Sequence, residues 1–130
     1  MLKVHHIGYA VSNLKQSLEM FLNIGYSLES GPVIDNKRNV EIAFVLNNGY
    51  LIELISPLNE KSPIKNYLDK IGNTPYHLCY ETNDIKVAIA NLRKQRYLIV
   101  EKPSEAVALD NQNVAFLYHP KYGLLELLEV

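Results

Sequence analysis

"HHIGYAVSNLK" (residues 5–15) and "YHLCYETNDIK" (residues 76–86) are two versions of one segment. A shift of 71 residues lays His6 on His77, Tyr9 on Tyr80, Asn13 on Asp84, Leu14 on Ile85 and Lys15 on Lys86. Each copy opens with the apolar, β-branched and aromatic residues of a strand and passes into a run of helical period. In the first, Leu14, Leu18, Phe21 and Leu22 form one stripe, with Ser12 as the expected N-cap and Gly25 as the stop. Three strands are expected next, "YSLESGPVI", "VEIAFVL" and "YLIELIS", the last two joined by the hairpin signal "NNG". The second copy continues in the same way, with "NDIKVAIANLRKQ" as helix and "YLIVEKP", "NVAFLYH" and "GLLELLEV" as strands.

The echo persists to the end of each half. Ala43-Phe44 returns as Ala115-Phe116 at a shift of 72, and Leu51, Glu53 and Leu54 return as Leu124, Glu126 and Leu127 at a shift of 73. Small loop insertions account for that drift. The repetition predicts an α+β fold of two tandem βαβββ modules within one domain, 1–130. Module 1 covers about 1–57 and module 2 about 75–130. Between them lies a connector, 58–74, with a short helix around "PIKNYLDKI".

Composition narrows the function. A formal charge of −1 argues against a nucleic-acid surface, which needs clustered Lys and Arg. No apolar run reaches membrane-spanning length, and "MLKVHHIGYAV" turns polar too soon for a signal peptide. The single Cys79 excludes an internal disulfide and fits a cytoplasmic location.

Two of the repeated positions are not apolar. Strand alternation puts His6, Gly8 and Ala10 on one face, and His77, Cys79 and Glu81 on the matching one. Glu53 and Glu126 lie inside the apolar flanks "LIELI" and "LLELL". A buried carboxylate needs a cation, a proton or water. If the halves are related by a pseudo-twofold, two imidazoles and two carboxylates converge, a donor set suited to a divalent ion with open positions for substrate. Ligand type does not choose among Co, Ni, Mn, Fe and Zn.

The run "HHIGYAV…LIELISP…YHLCYETNDI…VAFLYHP…LLELLEV" resembles the vicinal oxygen chelate (glyoxalase/bleomycin resistance/dioxygenase) superfamily over essentially the whole chain, and within it the methylmalonyl-CoA epimerase-like branch. The resemblance implies a cupped, curved mixed sheet around a central cavity. It also implies a divalent metal held by His6, Glu53, His77 and Glu126. The chain departs from the branch where a "GAHG"-like loop stands, having "EAVALDNQN" (residues 105–113), and in "DNKRN" (residues 35–39), which lacks a glutamate.

The implied chemistry is proton removal next to a thioester carbonyl, with Glu126 as first and Glu53 as second choice of acid/base and Glu41 as the alternative. His5 is expected at the surface, His119 in turn packing and Cys79 in the core. Lys37, Arg38 and Lys121 are expected as solvated loop charges, or as contacts to the phosphates of a CoA-like substrate. The leading reading is a metal-dependent epimerase on a small-molecule acyl thioester, acting as a homodimer. A glyoxalase-I-like lactoylglutathione lyase and a non-catalytic ligand-binding or resistance protein are the alternatives. Retention of all four candidate ligands argues against the last, and an extradiol dioxygenase would not need Glu53.

Overall fold

Strands and helices form where the repeat places them. The structure, a computed structural model, describes residues 1–130. The chain is an α+β protein of two tandem βαβββ modules, and by its internal contacts it divides into two compact units, His6–Tyr76 and Met1–His5 with His77–Val130.

In the first module β1 (Lys3–Ala10) leads to α1 (Leu14–Asn23), then β2 (Ser27–Asp35), β3 (Val40–Asn47) and β4 (Tyr50–Pro57). β1 pairs parallel with β4, β4 antiparallel with β3, and β3 antiparallel with β2. Helix α1 is capped by Asn13 rather than the expected Ser12. The Asn13 Oδ1 accepts from the Gln16 N–H at 3.0 Å, while the Ser12 N–H is drawn aside to the Asn73 Oδ1. The "NNG" hairpin has Asn48 and Gly49 both left-handed (φ 51° and 82°), as a two-residue turn matched to strand twist requires. On one sheet face Val11, Leu14, Ala43, Val45, Ile52 and Leu54 pack as a core, with Tyr9 and Phe21 against it. Each fully buried Val, Leu or Ile side chain among them contributes about 1.5–3 kcal/mol.

The segment between the modules groups with the first unit. It carries α2 (Lys65–Ile71), and the side-chain amides of Asn59 and Asn39 exchange hydrogen bonds at 2.8 and 3.2 Å.

The second module repeats the plan with β5 (Thr74–Thr82), α3 (Ile85–Lys94), β6 (Leu98–Ala106), β7 (Gln112–His119) and β8 (Gly123–Glu129). β5 pairs parallel with β8, and β8–β7–β6 continue antiparallel. Asp84, the counterpart of Asn13, caps α3 through the Val87 N–H at 3.1 Å. Ile89 and Leu92 of α3 pack on Leu117, Leu125 and Leu127.

Both outer strands are bulged at equivalent places. In β2, Leu28, Ser30 and Val33 oppose Val45, Phe44 and Ile42; in β6, Ile99, Glu101 and Ser104 oppose Leu117, Phe116 and Val114. A single 3-10 turn, Val107–Leu109, follows β6 and was not foreseen from the sequence. Asp110 and Asn111 then take left-handed backbone in the "EAVALDNQN" segment, a conformation these residue types tolerate better than most. No helix is long and apolar enough to cross a membrane.

Candidate metal-binding residues

In each module the helix covers one face of the strands, and the buried histidine and glutamate lie on the other. In β1 the buried set is His6, Gly8 and Ala10. Parallel pairing brings Gly8 of β1 beside Glu53 of β4, two residues along the same strand face from His6. His6 Nε2 is 3.5 Å from Glu53 Oε1, and both residues are buried, 1% and 4% exposed. Phe44 stands directly across from Glu53 and presents its ring edge-on to His6, centroids 5.3 Å apart at 79°. An aromatic wall on one side and a carboxylate on the other restrict the imidazole plane.

The second module builds the same constellation. His77 Nε2 lies 3.0 Å from Glu126 Oε1, with the residues 5% and 3% exposed. Cys79 is the register neighbour of Glu126 and fully buried. Phe116 opposes Glu126 and meets His77 edge-on, 5.4 Å and 84°. Within each module, then, the expected histidine and glutamate are adjacent, buried and shaped by one phenylalanine. An imidazole beside a carboxylate is a pairing of donor types that divalent-metal sites use, and each module holds one such pair.

Glu41, the alternative acid/base, is on the wrong face. It is three residues from Phe44 in a regular strand, so it points with Ala43 and Val45 toward α1. Arg38 is not a solvated loop charge. Its Nη1 and backbone N–H both reach the buried carboxylate of Asp35, each at 3.0 Å, because the short turn after β2 folds Arg38 back over it. His5 is half-buried, on the face opposite His6. His119 packs in its turn as expected: its Nδ1 accepts from the Lys121 N–H at 3.0 Å and its ring lies against Tyr97. Nearby, desolvation first and then the 2.6 Å hydrogen bond to Tyr80 push the Tyr122 phenol above its ordinary range.

Sequence reasoning passed over Glu101 and Ser104. Regular alternation would turn Glu101 to the helix side with Ile99, and only the bulge places it opposite Phe116. A signal was present, since a shift of 71 lays Glu101 on Ser30, one place where the repeat changes chemistry.

The model of the Glyoxalase/Bleomycin resistance protein/Dioxygenase superfamily matches residues 5–116, and the chain belongs to that superfamily. Among its relatives is the mitochondrial methylmalonyl-CoA epimerase of Dictyostelium discoideum, 33% identical over 98% of this chain and 77% of the relative. The ethylmalonyl-CoA/methylmalonyl-CoA epimerase of Cereibacter sphaeroides is 28% identical over 92% of this chain and 89% of that one. The crystal structure of methylmalonyl-CoA epimerase from Mycobacterium tuberculosis superimposes with a TM-score of 0.83 at 28% identity, covering 97% of this chain and 86% of that chain.

Proposed function

We propose that the chain is a divalent-metal-dependent epimerase that moves the proton α to the carbonyl of a small acyl thioester of the methylmalonyl-CoA kind. The observation that carries this reading is the duplicated pair of buried imidazole and carboxylate, His6 with Glu53 and His77 with Glu126, in a chain whose named relatives are epimerases. Those relatives favour an epimerase over a lactoylglutathione lyase or a sequestering protein.

In this reading His6, Glu53, His77 and Glu126 together hold one ion. A divalent ion held there supplies Lewis-acid stabilisation for negative charge developing on a carbonyl oxygen. Phe44 and Phe116 exclude water and fix the imidazoles, so that the ring nitrogens are preorganised. Glu126 is the first acid/base and Glu53 the second, each accepting the α-proton on a carboxylate oxygen and returning it. Work as one domain, a homodimer and a cytoplasmic location belong to the same proposal. The first is supported by a family match that runs through both units, the last by a single, buried cysteine, Cys79, which suits a reducing compartment.

The test is metal content by mass spectrometry on tag-free protein purified without chelator, followed by solvent-deuterium exchange into the α-carbon of methylmalonyl-CoA. Near-stoichiometric divalent metal with exchange supports the proposal. Absence of exchange after loading with Co, Ni, Mn, Fe and Zn rejects it.

A further inference from the structure

We infer that Glu101, oriented by Ser104, is a further proton-transfer residue of the second module, a step that rests on the epimerase reading above. In an unbroken β6, Glu101 would share the face of Ile99, which packs against the α3 core. Instead, two residues of β6 (Ile99 to Glu101) advance while β7 advances one (Leu117 to Phe116). The extra residue rotates Glu101 onto the face of Phe116, and directly opposed residues share a face. Phe116 in turn opposes Glu126. Glu101, Phe116 and Glu126 therefore form one row across β6, β7 and β8, on the face that carries His77.

The second bulge orients the carboxylate. Ser104 is three residues on and would point away in a regular strand, but the extra residue returns it to the same face, opposite Val114. Its hydroxyl donates to the Glu101 Oε1 at 3.3 Å. Glu101 is only half-buried, so protons can be exchanged with water between turnovers. The first module has the same bulges but carries Ser30 and Val33 there. A feature required only for folding would have no need of a carboxylate in one copy alone.

Chemistry separates Glu101 from Glu126. Glu126 is committed to the proposed donor set, whereas Glu101 stands outside it and two strands away. Two strand spacings put the Cα atoms of Glu101 and Glu126 about 10 Å apart, leaving space for a substrate carbon between the side chains. In the step assigned to Glu101 the α C–H bond breaks, its proton passes to a Glu101 oxygen, and the electron pair moves to the thioester as an enolate. Return of a proton from the protonated Glu126, on the other side of the carbon, completes inversion, and the proton held on Glu101 is lost to water before the next turnover.

The test compares the parent with Glu101→Gln and Ser104→Ala, following deuterium wash-in separately from each stereoisomer of methylmalonyl-CoA, with metal content and thermal unfolding measured alongside. Glu101→Gln should slow exchange of one stereoisomer about a hundredfold. The other stereoisomer should be affected far less, with bound metal unchanged. Ser104→Ala should slow that same stereoisomer about fivefold and shift the acidic limb of its pH–rate profile. Parent-like exchange in Glu101→Gln, or equal slowing of both stereoisomers, overturns the assignment while leaving the epimerase reading intact. A parent that exchanges neither stereoisomer overturns both.

Discussion

Nε2 of His77 stands 3.0 Å from Oε1 of Glu126, two residues brought together by the parallel pairing of β5 with β8. The corresponding separation in the first module, His6 to Glu53, is 3.5 Å. Under the proposed four-residue site, His77→Ala and Glu126→Ala each remove a ligand and leave a buried partner behind. Metal affinity should fall by at least about a hundredfold in either variant, beyond the range of outer-shell effects. Titration of metal-stripped protein, followed by competition with a chromophoric chelator, measures this directly. Parent-like affinity in both variants would exclude the second module from the site.

Phe44→Leu and Phe116→Leu test the walls. Each loses an edge-on ring contact, worth about 0.5–1.5 kcal/mol beyond area burial. Urea unfolding should register that loss in both. Metal affinity should fall modestly as well, because the imidazole plane is no longer held. A stability loss with unaltered affinity would mean the ring serves packing alone.

Much of this arrangement was legible from residues. His6, His77, Glu53 and Glu126 stood out because polar side chains recurred at matching places in apolar strands, and alternation alone gives their face. Glu101 and Ser104 did not stand out, because a bulge resets the parity on which alternation depends, and its one mark in "YLIVEKP" is Pro103, which a shift of 71 lays on Pro32. Arg38 was misread for a related reason: the Asp35–Arg38 spacing closes a turn only when β2 and β3 are paired. Ser12 and Asn13 are both good caps by type, and what distinguishes them is Asn73, 61 residues beyond Ser12, which engages the Ser12 N–H.

The duplicated caps give an additive pair. Asn13→Ala and Asp84→Ala should each cost about 1 kcal/mol, through loss of one side-chain acceptor at a helix start. The caps belong to different helices in different units, so the double variant should cost the sum to within about 0.5 kcal/mol. Chemical denaturation of the three variants checks both statements, and a large non-additive residue would point to coupling between the two helices.

Gly31 separates steric from conformational cost. Its backbone is left-handed (φ +86°), and a Cβ there would come within 2.6 Å of the Ile42 carbonyl oxygen and 3.1 Å of the Ala43 Cα. Gly49 has a similar φ, +82°, but a Cβ there would meet nothing within 4 Å. Gly49→Ala should therefore cost about 1–2 kcal/mol, the left-handed penalty alone. Gly31→Ala should cost more than that, because backbone of β3 cannot yield as a side chain would. Since Gly31 lies in the bulge that opposes Ser30 to Phe44, its replacement should also weaken metal binding, whereas Gly49→Ala should not. Equal destabilisation by the two substitutions, with metal affinity retained in both, would show that β2 relaxes without disturbing Phe44.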